Sequence, residues 1–434
     1  MRKIWAMKFK LLKEKNFSLL MFGKITSLIG SNMQSFALSL FVLATTGSAT
    51  KFASILAVSL IPQLILGPFA GVIVDRFYRK NILIVLDLIS GVVVSIFAII
   101  YFVTGEMTLT NIYILVIILS LISTIDSPAL QTIIPTITKR EDLVEANALN
   151  SLIMSIGSVI SPAIAAVTYG ELGLKGVFII NSITFFLSAL SEVFLVIPRN
   201  ARKTEKLSLN SFIGEFNEGI RFIVKRKDII NIVTLAIILN FAFGSFTVGS
   251  TYISKMILKV SDFQYGMVES FGVVGMIVAT FFIGWLSKKN SIGKNLYSSL
   301  LLSSVVLSGY AIVAFKPFVQ IENSIIYLYL LMLLTTFVMC LYVGLANTFL
   351  SINFQYIVPL EFMGRVSTVM GTGCMIAMPI SNIIYGYLFD KISVSNIFII
   401  SSAIMVIAML LYKKSLLSIN VNEDEKCEAE VEPT

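Results

Sequence analysis

Stretches of about twenty apolar residues recur along the whole chain, parted by short polar turns. Residues 81–103 are typical: NILIVLDLISGVVVSIFAIIYFV carries one charge, Asp87. Such a run is stable only where water is absent. Lipid offers the backbone no hydrogen-bond partners, so each run must be a self-satisfied helix or part of a closed barrel. The runs are continuous rather than alternating, which selects helices. Composition agrees. Of 434 residues, 56% are apolar and 13% charged, against about 45–50% and 25% in soluble domains.

Twelve spans are expected, near 17–44, 52–74, 81–103, 112–134, 143–167, 174–197, 229–253, 265–286, 296–315, 325–350, 367–389 and 396–412. With both termini inside, the inner side carries 26 of the 33 Lys and Arg and the outer loops carry six, with Lys24 inside a span. That asymmetry follows the positive-inside rule. Six bases among the first 16 residues lead straight into the first span with no cleavage site, so an uncleaved cytoplasmic terminus is expected. The expected division is a six-helix bundle over 1–197, a cytoplasmic central loop over 198–228, a second six-helix bundle over 229–413 and an acidic, disordered tail over 414–434. QTIIP at 131–135 and QYIVP at 355–359 are near-copies, so the halves look related. Two such halves enclosing a cleft are the architecture of secondary transporters.

Several classes are excluded on residue grounds. The chain has no histidine, and its cysteines, Cys340, Cys374 and Cys427, suit neither a disulfide framework nor a metal cluster. HExxH and GxSxG do not occur, so no enzyme, metal or cofactor is expected. FGKITS at 22–27 lacks the earlier glycine of a P-loop. TVGST at 247–251 echoes a potassium filter but lacks its aromatic residue. The expected partners are a small-molecule cargo, protons as coupling ion and the bilayer, with no nucleic acid, and the expected state is a monomer in the cell membrane.

The turn after the second span reads GPFAGVIVDRFYRK at 67–80. Gly67 and Gly71, at i and i+4, offer a small face to a neighbouring helix. Asp75 stands at a helix end, where a carboxylate can cap an adjacent helix. Arg76, Arg79 and Lys80 can pair with acids or lipid headgroups, and Asp87 can join them. These residues, with Arg365 in the matching part of the second half, are the candidate inner gate. A plain positive-inside tether is the duller reading.

This turn resembles the signature loop of the major facilitator superfamily. SPALQTIIPTITKREDLVEANALNS at 127–151 and PLEFMGRVSTVMG at 359–371 are similar to the drug-exporting branch that includes macrolide-efflux permeases. The resemblance implies the twelve-helix fold of that superfamily and export of a small hydrophobic or cationic compound by proton antiport. A siderophore or other metabolite exporter on the same fold is the alternative. GSVISPAIAAV at 157–167 resembles the fifth-span motif of exporters, with Gly157 and Pro162 as its hinge. The arginine that the family often carries in its fourth span does not occur between Asn111 and Pro135.

Ionisable groups inside spans are functional candidates by default. Asp126 lies deepest, in STIDSP at 123–128. A carboxyl in an apolar cleft can exchange protons near neutrality or meet a cationic cargo. Alternatively it ties two helices together through Lys24 or local hydroxyls. Lys24, Glu192 and Glu269 are further candidates. Polar and aromatic residues that would line a cleft are Asn32, Gln34, Phe36, Asn240, Phe243, Asn347 and Asn382, each of which can equally serve helix packing.

Overall fold

A computed structural model describes residues 11–139, 142–197 and 209–417. The described residues are almost wholly helical. The basic set Arg2, Lys3, Lys8 and Lys10, Arg140, the first part of the central loop and the tail from 418 lie outside them.

The helices are α1 (Lys15–Thr46), α2 (Ala49–Arg76), α3 (Arg79–Thr104), α4 (Leu109–Ile137), α5 (Leu143–Val193), α6 (Leu209–Lys225), α7 (Lys227–Tyr252), α8 (Asp262–Lys289), α9 (Ile292–Leu307), α10 (Gly309–Val313), α11 (Lys316–Val319), α12 (Ser324–Ile357), α13 (Leu360–Lys391) and α14 (Val394–Leu417). Eleven stretches among the described residues are long and apolar enough to cross a bilayer. One of them, in α5, runs 49 residues, roughly 70 Å at 1.5 Å per residue and about twice a bilayer core. It breaks at Gly173, whose φ of 63° and ψ of −166° interrupt the helix. That conformation suits a residue without Cβ. The two arms make two spans, so the described chain accommodates twelve. Helix continues through Gly157 and Pro162, and the break falls at Gly173 instead.

Local signals set the ends. Thr108 caps α4 by accepting from Asn111 N at 3.2 Å. Ser261 and Gln264 form a reciprocal capping box at the start of α8, at 3.2 and 2.9 Å. Gly105, at φ 71°, closes α3. Large apolar side chains face outward on the long helices, Val103 at 80%, Phe281 at 73% and Leu411 at 76% exposure. A water-soluble fold would not carry them, whereas lipid solvates them.

The chain divides into two compact units, residues 1–46 with 58–207, and 47–57 with 208–434. In the first, α1 and α3 pack along α5, and α3 also meets α4. The short segment after α5 is tied down by three side chains. Asn16 exchanges two hydrogen bonds with Val196 at 2.9 and 3.0 Å. Tyr78 Oη donates to Ile197 O at 2.6 Å, and Lys80 Nζ donates to the Val193 and Leu195 carbonyls, each at 2.7 Å.

In the second unit, α12 packs against α8 and α9, and α13 against α7. The stretch expected as a central loop instead contains α6, which lies on α13. Phe222 stacks on Phe362 with centroids 4.2 Å apart, and Arg365 pairs with Glu218 at 3.1 Å. A Cβ at Gly219 would come within 2.8 Å of Arg365 O, so only glycine permits this approach. The first turn of α2, which belongs to this unit, is capped by Asp390 of α13. That carboxylate accepts from Ser48 Oγ (2.7 Å), Ala49 N (2.8 Å), Thr50 N (3.0 Å) and Thr50 Oγ1 (2.6 Å). Asp390→Ala is expected to destabilise the protein by about 1–3 kcal/mol, the usual loss when a cap or charged acceptor is removed. A thermal melt in detergent would read this as a lower Tm, and an unchanged Tm would show the cap to be idle.

Candidate functional site

The first unit encloses a cavity of about 910 Å³. Its α1 wall is a stripe, Lys24, Ser27, Leu28, Ser31, Gln34, Ser35 and Leu38, at the three-and-four spacing of one helix face. Gln63 comes from α2, Asp87 and Ser90 from α3, Ser123, Asp126 and Ser127 from α4, and Asn147, Asn150 and Phe185 from α5. The remaining wall is aliphatic at Leu60, Val116, Leu119, Ile122, Leu130, Ile134 and Met154 and hydroxyl-bearing at Ser59 and Ser120. The lining is mixed, fifteen of its twenty-five residues being polar and eight of those serines, so it offers a small molecule both apolar wall and convergent polar groups.

The charged wall is the distinctive part. Lys24 Nζ donates to Asn150 Oδ1 at 2.9 Å and lies within electrostatic range of Asp126. Asp87, 7% exposed, stands beside the Ser188 hydroxyl of α5. Glu192, 4% exposed, lies in the last turn of α5, within electrostatic range of both aspartates. It does not line the cavity. Its Oε2 has no hydrogen-bond partner among the described residues. Deeper along α1, Gln34 Oε1 accepts from Asn181 Nδ2 at 2.7 Å. Both are buried, and Asn181 was not singled out in the sequence.

The structure gathers Lys24, Gln34, Asp87 and Asp126 around one cavity, with Glu192 behind it. Asn32 and Phe36 do not join the lining because a step of about 100° per residue turns them off the stripe. Asn240, Phe243, Asn347, Asn382 and Glu269 belong to the second unit. There Asn240 donates to Ala236 O at 2.9 Å and to Cys374 Sγ at 3.4 Å. Phe243 meets Phe246 at 5.1 Å. Asn382 is buried and Asn347 exposed. Glu269 interacts with Tyr265, whose hydroxyl meets Thr251 Oγ1 at 2.8 Å.

The candidate gate is dispersed. The Gly71, Asp75 and Arg76 side chains lie outside the description. Gly67 is exposed, and a Cβ there would meet nothing within 4 Å, so the close helix approach expected at this glycine is not made. Arg79 donates to Thr132 O at 3.4 Å and Thr136 Oγ1 at 3.3 Å, bracing α4. Lys80 holds the end of α5. Asp87 lies two helical turns deeper than these bases and serves the cavity wall rather than joining them. Arg365 pairs with Glu218, as above. Gly157, by contrast, packs tightly as expected of a small-residue face, since a Cβ there would sit 2.6 Å from Leu28 Cδ2.

Comparison with known proteins adds the family. A model described as Major Facilitator Superfamily matches residues 20–381. Macrolide efflux protein A of Streptococcus pyogenes is 24% identical over 390 residues, 88% of this chain and 92% of the relative. The Bacillus subtilis protein named uncharacterized MFS-type transporter YkuC is 26% identical over 436 residues, covering 95% and 96%. Among solved structures, the nucleoside transporter NupG superposes with a TM-score of 0.69 at 13% identity, over 92% of this chain and 98% of that one.

Proposed function

The chain belongs to the Major Facilitator Superfamily as a multi-pass cell-membrane transporter of a small molecule, and from that premise we propose that it exports a hydrophobic or cationic, macrolide-like compound. The proton gradient drives this export, by antiport and alternating access, in a monomer. The observation that carries this reading is a cavity wall that brings two carboxyls, Asp126 and Asp87, and a single ammonium, Lys24, together with aliphatic side chains and a row of serines. The aliphatic part of the wall accepts a greasy cargo, and surplus carboxylate on the polar part favours a cation or a proton. The likeness to a macrolide efflux protein over most of both chains supports the cargo class.

The test is expression in a bacterium stripped of its own drug pumps. Growth would be scored against macrolides, other antibiotics and cationic dyes. The inhibitory concentration of at least one macrolide is expected to rise about fourfold or more, a standing difference of ~0.8 kcal/mol. An uncoupler should erase the gain. Unchanged sensitivity to every compound would remove the export reading.

A further inference from the structure

We propose that Asp87 and Glu192 form a proton-holding pair behind the cavity wall, one proton shared by two carboxyls and exchanged with the cavity through Asp87. The proposal deepens the export reading and rests on it for its role in transport, though not for its existence.

Three independent observations meet here. First, Glu192 is a carboxyl 96% removed from solvent, with one oxygen unpartnered among the described residues. Buried polar atoms are normally satisfied, and a carboxylate left bare costs several kcal/mol or changes its protonation instead. Second, the charges do not balance. Asp87 of α3, Asp126 of α4 and Glu192 of α5 act on one another, and Lys24 of α1, the one ammonium among these groups, lies in range of Asp126. Three acids against one ammonium leave an excess that a lipid-embedded bundle cannot hold. Lys80, whose ammonium is held at the Val193 and Leu195 carbonyls, is not among the charges that act on Asp87 or Glu192. Third, Glu192 sits in the last turn of α5, where the helix dipole presents negative charge and disfavours a carboxylate.

Geometry gives the route. Asp87 lines the cavity and Glu192 does not. A proton arriving through the cavity forms an O–H bond on a carboxylate oxygen of Asp87. Transfer inward breaks that bond and makes one on Glu192, with no other atom changed. Release reverses both steps. A cation settling on the wall near Asp126 lowers the cost of leaving the pair ionised, so the proton departs to the cavity. Cargo and proton thereby compete without sharing an atom.

The experiment uses the full chain in nanodiscs, with no cargo, and follows the infrared C=O absorbance of protonated carboxyls through a pH step. The wild type is expected to show a titrating band. Glu192→Gln and Asp87→Asn should each abolish the same component, because the surviving acid has lost its like-charged neighbour and ionises. The double variant should lose no more than either single one. Losses that add, or a band unmoved by both substitutions, would overturn the pair. Glu192→Asp, which keeps the charge but shortens the side chain, covers the case in which Glu192→Gln does not assemble. It should shift the band, and an unshifted band overturns the proposal equally. A normal band in a protein that exports none of the drugs tested would leave the pair standing and remove the export reading alone.

Discussion

Asp126→Asn is expected to abolish any drug resistance the wild type confers while leaving the protein folded and inserted. The amide keeps the volume and one acceptor oxygen but can carry neither charge nor exchangeable proton. The side chain faces a cavity rather than a packed core, so exchange of oxygen for NH2 leaves no void. For a cationic cargo the lost charge-assisted contact amounts to about 1.5–3 kcal/mol, roughly ten- to a hundredfold in affinity. For a coupling proton the loss is total. Two measurements in proteoliposomes separate these roles. If Asp126 binds cargo, exchange of labelled macrolide between equal solutions across the membrane falls with uphill export. If Asp126 carries the proton, exchange survives and only uphill export is lost. Glu at 126 should restore part of either. Full resistance in Asp126→Asn, still sensitive to an uncoupler, would remove Asp126 from both roles.

The spans were legible because the bilayer imposes one rule on every backbone group, so length and apolarity suffice to find them. The same rule hid α6. An interfacial helix needs only one apolar face, and Phe216, Ile220 and Ile223 at helical spacing lie within a stretch dominated by its charges. The deep acids were legible as well, since a carboxyl within an apolar run is conspicuous by type. Their company was not. Ser188 and Asn181 are ordinary small polar residues, found on packing faces throughout such bundles. What gives them meaning is that α1 and α3 lie against the second arm of α5, a fact of tertiary packing. Asn32 and Phe36 lie off the lining for a related reason. Residue type alone does not place a side chain, whereas the cavity selects by angular position, and its α1 stripe of Ser27, Ser31, Gln34 and Ser35 is visible once the helix is wound. Gly67 shows the same limit, because an i, i+4 glycine pair indicates that helices can approach but not that they do.

The approach occurs instead at Gly30, and Gly30→Leu is expected to prevent assembly of the first unit. A Cβ at this position would collide with Thr184 Oγ1 and Asn181 Oδ1, and would stand 3.0 Å from Thr184 Cβ. Neither neighbour can retreat freely. Asn181 is fully buried and donates to Gln34, while Thr184 Oγ1 donates to Asn181 O at 2.7 Å. Overpacking costs about 1–3 kcal/mol where side chains can adjust, and separation of Asn181 from Gln34 adds about 1–3 kcal/mol for buried groups left unpaired. The sum is a large fraction of the ~5–15 kcal/mol by which a domain is held. Gly30→Ala should lower Tm by less than Gly30→Leu, because its single carbon forces a smaller parting of α1 from α5. The control is Gly170→Leu, an exposed α5 site where a Cβ meets nothing within 4 Å. Detergent-solubilised Gly30→Leu should elute as aggregate, with Gly170→Leu eluting as the wild type. If both elute alike, α1 does not depend on glycine to reach α5, and the cavity stripe beside Gly30 is not held by this contact.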